Sequence, residues 1–150
     1  NILDVGIGGG ETLNYLATTT TQNNLYGIDI SADSIAFATN KNKECINEGR
    51  IKLTTADIAA LPFENESFDL ITAFQTHIYW QELDKGLEEI HRVLQTDGTL
   101  LIVCEKDKID YHLKQYKNPD DFVQLLLQQN FEKVEFYEYN NWIYFKAIKN

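Results

Sequence analysis

Apolar positions change period along the chain, and the changes mark out its elements. Ile2 to Val5 is a short apolar-rich run that predicts a buried strand, ended by Gly6-Ile7-Gly8-Gly9-Gly10. Leu13 and Leu16 follow at helical spacing until Thr18 to Thr21 and Asn23-Asn24 break the pattern. Leu25 to Ile30 predicts a second strand. Ser31 then stands as an N-cap, with Asp33 in the first turn to suit the helix dipole. Ile35, Ala38, Cys45 and Ile46 give a single helix running up to Gly49. Ile51 to Ala56 is a third strand, Leu61-Pro62-Phe63 a loop, and Phe68 to Phe74 a fourth strand. Leu83, Leu87, Ile90 and Leu94 are spaced 4, 3 and 4 apart, which is one face of a helix. Asp97-Gly98 is a turn signal, and Thr99 to Cys104 reads as a strand buried on both faces. Glu105 to Asn118 is a polar stretch. Pro119 opens another helix, carrying Phe122, Val123, Leu126 and Leu127. Phe131 to Tyr139 and Trp142 to Ile148 alternate around Asn140-Asn141, a hairpin signal.

Strand and helix alternate five times before the hairpin. Such alternation predicts an α/β fold: a doubly wound, mostly parallel seven-stranded sheet with a C-terminal antiparallel hairpin. The 150 residues suit a single domain spanning 1–150. The chain has no methionine and opens directly on a core strand, so residues upstream are expected to be missing, any N-terminal helices among them. Thirteen basic against twenty-three acidic residues give a net charge of −10. That field repels phosphate backbones and anionic lipid, so neither nucleic acid nor a membrane is an expected partner. Cys45 and Cys104 cannot build a disulfide framework or a zinc cluster, and no metal site is expected. No apolar run approaches the roughly 20 residues that span a bilayer.

In doubly wound sheets ligands bind beyond the carboxyl ends of the strands, near the point where strand order reverses. The residues after each strand therefore carry the functional reading. After the first, Asp4-Val5-Gly6-Ile7-Gly8-Gly9-Gly10 lets backbone approach a ligand and leads into a helix N-terminus. Glu11 stands where the dinucleotide fingerprint needs its third glycine, and no Gly-Lys-Ser/Thr ending makes a P-loop. Asp4 is placed to hold the loop or meet a cationic ligand. After the second strand, Asp29 is placed to accept both hydroxyls of a ribose; the alternative is a helix-capping acid. After the third, Asp57 can accept an exocyclic purine amine while Ile58 covers its face; the alternative is a surface turn. After the fourth come Phe74-Gln75-Thr76-His77-Ile78-Tyr79-Trp80, an aromatic loop with one titratable residue. Tyr79 and Trp80 either meet a substrate or pack the next helix.

Together these residues resemble the class I S-adenosylmethionine-dependent methyltransferases, in the flavour of the ubiquinone/menaquinone-type small-molecule group. The likeness is carried by Ile2-Leu3-Asp4-Val5-Gly6-x-Gly8-x-Gly10, by Gly27-Ile28-Asp29-Ile30-Ser31, and by Ala56-Asp57 with Leu61-Pro62-Phe63. Phe68-Asp69-Leu70-Ile71 and Glu89-Ile90-x-Arg92-Val93-Leu94 complete it. Gln95-Thr96-Asp97-Gly98 departs from the family's usual Lys-Pro-Gly-Gly. The resemblance implies a Rossmann-like methyltransferase fold, S-adenosylmethionine as cofactor, a cytoplasmic location and a small-molecule acceptor. It also implies cofactor contacts at Asp4, Gly6, Ile7, Gly8, Asp29, Ile30, Asp57 and Ile58, with Phe74 and Gln75 near the transferred methyl.

Methyl transfer needs aligned nucleophile and sulfonium and no covalent intermediate. A general base is needed only for a hydroxyl or protonated amine. His77 is the candidate in the right loop, alongside Tyr79 and Trp80 as substrate contacts; the alternative is a loop-bracing histidine. In the resemblance, amino-methylating DNA enzymes carry Asn/Asp-Pro-Pro-Tyr/Phe after the fourth strand, where this chain has Phe74-Gln75-Thr76-His77. Arginine methyltransferases carry paired glutamates there, and cytosine-C5 enzymes a cysteine. Two other readings stand beside methyl transfer: a non-catalytic module of the same shape, and a nicotinamide-dependent oxidoreductase, against which the glycine spacing and Asp4 argue.

Overall fold

A computed structural model describes residues 1–150. Its sheet has seven strands in the order β3-β2-β1-β4-β5-β7-β6. They are β1 (Ile2–Val5), β2 (Leu25–Asp29), β3 (Ile51–Thr55), β4 (Phe68–Phe74), β5 (Leu94–Glu105), β6 (Phe131–Tyr139) and β7 (Trp142–Lys149). All pairings are parallel except those of β7, which runs antiparallel to β5 and β6 on either side. The chain builds outward from β1 to β3, then crosses back to place β4 on the other flank of β1. The switch point therefore lies between β1 and β4.

The helices are α1 (Glu11–Thr19), α2 (Ala32–Lys41), α3 (Lys43–Asn47), α4 (Leu83–Val93), α5 (Lys106–His112) and α6 (Pro119–Gln128). One face of the sheet meets α4, α5 and α6 across a core that includes Leu3, Ile71, Ile102, Phe145, Leu87, Ile90 and Phe122. On the other face α1, α2 and α3 cover β1, β2 and β3 through Leu13, Ala17, Ala38, Leu25 and Ile51. No helix lies over β5, β7 and β6 on that second face, and Tyr137, Tyr139, Trp142 and Tyr144 stand exposed there.

Four features differ from the sequence expectation. The helix expected to reach Gly49 breaks at Asn42, which separates α2 from α3. Asn42 is buried and accepts from Asn14 Nδ2 at 3.2 Å while donating to the carbonyls of Ala38 (3.0 Å) and Gly10 (3.3 Å). These bonds compete with helix continuation, as asparagine commonly does. The β3–β4 crossover is the loop that Leu61-Pro62-Phe63 predicts, and it interrupts the strand–helix alternation expected of the chain as a whole; an arginine clamp holds it. Arg92 Nη1 donates to Phe63 O (2.8 Å), Arg92 Nη2 to Leu61 O (3.0 Å), and Glu89 accepts from Leu61 N at 2.7 Å. The fifth strand begins at Leu94, with a register shift that accommodates Asp97 at φ 63°. Finally, the polar stretch after β5 folds into α5 and a 3₁₀ turn at Lys114–Tyr116. Its single buried anchor in α5, Ile109, is too little apolar pattern to read from sequence. Pro119 does open α6, behind an Asn118 N-cap. No helix is long and apolar enough to cross a membrane.

Candidate functional site

The carboxyl ends of β1 to β4 enclose a cleft of about 390 Å³ at the switch point. From β1 it takes Val5, Gly6 and Gly8; from β2, Ile28, Asp29 and Ile30. The turn after β3 supplies Ala56, Asp57 and Ile58, and the segment after β4 supplies Gln75, Thr76, Tyr79, Trp80 and Gln81. No lysine, arginine or histidine lines it. A second hollow of about 310 Å³ lies between α5, α6 and the hairpin, but it contains no glycine turn and no strand-end carboxylate from β1 to β3.

The glycine turn is fixed by backbone bonds. Gly6 and Ile7 both donate to Ile28 O, at 2.8 and 3.1 Å, and Gly10 donates to Ile7 O at 2.8 Å. Gly6 has φ +69°, and a Cβ there would stand 2.0 Å from Thr76 Oγ1. Thr76 therefore closes directly over the bare backbone. Gly8 has φ +52° and nothing within 4 Å of a notional Cβ, so open space lies above it. Both positions need glycine for conformation.

Asp29 ends β2 with each carboxylate oxygen in use once: Oδ2 accepts from Gly8 N (3.0 Å) and Oδ1 from Ser31 N (2.9 Å). Ser31, not Asp29, caps α2, its hydroxyl accepting from Ser34 N at 3.2 Å. A carboxylate oxygen has two lone pairs, so Asp29 retains capacity for two further donors. Asp57 does form a turn, its Oδ1 accepting from Ala59 N at 2.9 Å, and it also faces the cleft. Ile30 is exposed at the cleft wall, and Ile58 forms part of the opposite side.

Several expected residues stand elsewhere. Asp4 lies beneath the cleft floor, buried and hydrogen-bonded to Thr72 Oγ1 at 2.6 Å. Burial pushes its carboxyl up to about 7, with the Thr72 bond opposing. Ile7 is buried against α1 rather than lining the cleft. Phe74 sits just outside, on the uncovered side of the sheet, half exposed. The substrate-facing expectation for His77 is corrected: it is buried, does not line the cleft, and packs against Phe122 and Trp80 at ring separations of 5.4 and 6.4 Å. Burial pulls its imidazole down to about 4, and its Nδ1 has no hydrogen-bond partner. An apolar pocket disfavours the charged ring, so bracing describes its environment better than proton transfer. Trp80 both lines the cleft and lies against Gly86 of α4, while Tyr79 lines it and meets His112 at 4.9 Å.

Thr72, Thr76 and Glu105 were missed. Thr72 carries no signal, since its role depends on cross-strand register with Asp4. Glu105 has a sequence signal: it directly follows the run from Thr99 to Cys104, the last of the parallel strands. Gln75, in the left-handed region at φ 57°, donates from Nε2 to Glu105 Oε2 (3.1 Å) and accepts at Oε1 from Glu105 N (2.9 Å).

Comparison with known proteins agrees with this geometry. Residues 3–102 match the family model described as a methyltransferase domain. The chain is 34% identical over 103 residues to a ubiquinone/menaquinone biosynthesis C-methyltransferase of Citrifermentans bemidjiense, covering 68% of this chain and 44% of that protein. It is 28% identical over 141 residues to a fatty-acid O-methyltransferase of Mycolicibacterium smegmatis, covering 93% and 50%. The chain thus spans about half the length of these curated relatives. In fold it is similar to the crystal structure of a SAM-dependent methyltransferase from Aquifex aeolicus, with TM-score 0.85, 21% identity, and coverage of 99% of this chain and 81% of that one. The glycine turn and the acids after β2 and β3 lie within the matched span, and the chain belongs to the methyltransferase-domain family.

Proposed function

We propose that the protein transfers the methyl group of S-adenosylmethionine to a small-molecule acceptor, with the cofactor lying across the β1–β4 switch point. The observation that carries this reading is the free hydrogen-bonding capacity of Asp29 beside the open space over Gly8. Two remaining lone-pair sites on one carboxylate suit a pair of ribose hydroxyls. The free Oδ2 of Asp57 suits an exocyclic amine, and Ile30 and Ile58 suit the two faces of a planar base. A volume of about 390 Å³ falls in the range of small-ligand clefts. The donor set therefore fits the cofactor.

The bound cofactor would supply a sulfonium methyl with a neutral thioether leaving group. The chain's own task is to orient and to exclude water. Gly8 admits close backbone approach, Gly6 lets Thr76 close over the turn, Asp29 and Asp57 fix the nucleoside, and Thr76, Tyr79 and Trp80 wall the cleft on the β4 side. Alignment of this kind is worth up to ~7–11 kcal/mol of a barrier. Small-molecule acceptors are supported by the names of the two relatives and by the net charge of −10, which disfavours nucleic acid.

Isothermal calorimetry with S-adenosylmethionine and S-adenosylhomocysteine tests the reading. The wild type is expected to bind both, and Asp29→Ala to weaken both by at least about tenfold, since hydrogen bonds to a charged group contribute ~1.5–3 kcal/mol. Undiminished affinity in Asp29→Ala, or no binding by the wild type, overturns it.

A further inference from the structure

The β4 side of the cleft has a charged neighbour that does not line it. Glu105 closes β5 beside Gln75, which lines the cleft. Its Oε2 is held from two sides, by Gln75 Nε2 at 3.1 Å and by Lys108 Nζ at 2.7 Å, and its backbone N–H is taken by Gln75 Oε1. Oε1 of Glu105 makes no hydrogen bond within the chain, and the side chain is 28% exposed. Lys108 and Gln75 together hold the carboxyl below the usual range, so it stays ionised. A charged acceptor is thus fixed in place with one oxygen open.

Its surroundings are aromatic. Glu105 pairs in register with Trp142 of β7, which pairs in turn with Tyr139 of β6. The adjacent row runs Phe74, Val103, Tyr144 and Tyr137, with the last two rings stacked at 5.0 Å. Register pairing puts Glu105, Trp142, Phe74 and Tyr144 on the half of the sheet that no helix covers. The strip lies outside the cleft and borders it at Phe74–Gln75, where the Gln75 backbone N–H donates to Val103 O at 2.7 Å.

We infer that Glu105 selects the methyl acceptor: a neutral molecule with an aromatic or similarly flat apolar body resting on Phe74 and Trp142, whose O–H or N–H donates to Glu105 Oε1. The proposal rests on the methyl-transfer reading of the same cleft. Charge supports it independently. No cation lines the cleft, Lys108 is already paired with Glu105, and Lys146 on the same face stands four residues along β7 from Trp142, so a carboxylate placed at Glu105 meets a like charge before a free cation. A site built to accept a hydrogen bond rejects molecules that cannot donate one, because its own polar group is then left unpaired.

The test uses three matched probes, 4-butylphenol, 4-butylaniline and 4-butylbenzoate, titrated into the protein saturated with S-adenosylhomocysteine and followed by calorimetry. The phenol and aniline are expected to bind at least about tenfold more tightly than the benzoate. Glu105→Gln, which frees Lys108, is expected to shrink that preference to within about threefold and leave S-adenosylhomocysteine affinity unchanged. Glu105→Asp should restore part of the preference, and Trp142→Ala should weaken all three probes alike. Equal binding of phenol and benzoate, an undiminished preference in Glu105→Gln, or no probe binding to a protein that does bind S-adenosylhomocysteine overturns the inference. Failure to bind S-adenosylhomocysteine at all overturns instead the methyl-transfer reading beneath it.

Discussion

Asp4→Asn should make the protein more stable at alkaline pH and leave it unchanged in acid. Asp4 is buried at 2% exposure with Thr72 Oγ1 as its one side-chain partner. Burial raises its carboxyl from an ordinary 3.8 to about 7. Below pH 3.8 the acid is protonated in both folded and unfolded chains and contributes no pH dependence. Between 3.8 and about 7 the unfolded chain gives up a proton that the folded chain retains, so stability falls as pH rises and levels off above 7. The full fall amounts to ~4 kcal/mol. Asparagine keeps an oxygen for Thr72 and cannot ionise, so the variant lacks this slope. Thermal unfolding followed by circular dichroism from pH 4 to 8 is the assay. The two proteins should melt together near pH 4 and diverge by on the order of 10 °C at pH 8, the variant being the more stable. Parallel curves across the whole range, or a variant that melts lower at pH 8, would refute the argument that an uncompensated buried carboxylate lies beneath the cleft.

Gly6→Ala is expected to abolish measurable S-adenosylmethionine binding, because its Cβ would meet Thr76 Oγ1 at 2.0 Å and φ is +69°. Adding Thr76→Ala should recover part of the affinity but not all, since the left-handed conformation alone costs ~1–3 kcal/mol; full binding by the single variant contradicts this. His77→Leu should flatten the acid limb of the stability profile. The buried imidazole is lowered from 6.5 to about 4, so the unfolded chain binds a proton in that window that the folded one refuses. Wild-type stability therefore rises by up to ~3 kcal/mol as pH climbs from 4 to 6.5. Turnover at pH 7 should stay within about twofold of wild type, and a hundredfold loss with intact cofactor binding would return His77 to the chemistry.

The parts of the site that the sequence made legible are those in which local chain geometry dictates position. Asp29 ends β2 and Asp57 stands two residues beyond β3, and a parallel strand delivers its last residue and the turn that follows to the carboxyl edge whatever the rest of the fold does. The opposite failures share one cause. His77 stands in the right loop, but a 3₁₀ turn at His77–Tyr79 rotates its ring inward while Tyr79 and Trp80 remain at the cleft. Asp4 sits one residue below the opening, and strand alternation turns it toward Thr72. Glu105 meets Gln75 only because β4 and β5 pair in a register that a bulge near Asp97 sets. Each depends on rotation or pairing across elements, which period-based reading does not resolve. The break at Asn42 and the helix at Lys106–His112 failed for a related reason, since tertiary bonds, not apolar period, define them.

Glu89 and Arg92 make α4, whose Gly86 already packs against Trp80 and Ile58, a support for the cleft. They stand three apart on α4, with Arg92 Nε donating to Glu89 Oε1 at 2.7 Å and Nη2 to Oε2 at 2.8 Å. The same pair grips the β3–β4 loop at Leu61 N, Leu61 O, Phe63 O and Asn65 Oδ1. That loop begins with Asp57 and Ile58, and it has no helix of its own to stiffen it. The two side chains are 33% and 20% exposed, so water screens the pair less than at an open surface. Hydrogen bonding holds the glutamate below and the arginine above their ordinary ranges, consistent with mutual charge stabilisation. Lysine could keep the charge but not the planar fork that reaches both Glu89 oxygens and three oxygens of the loop at once. Arg92→Lys should therefore lower stability by ~1–3 kcal/mol. It should also weaken S-adenosylmethionine binding several-fold while the acceptor preference proposed for Glu105 persists, because the loop it loosens carries Asp57 and Ile58, the proposed nucleoside contacts, and not Glu105. Calorimetric titration beside thermal melts separates the two effects. A variant that melts lower yet binds the cofactor as tightly as wild type would show that the clamp serves stability only and that the loop's position is fixed by its packing.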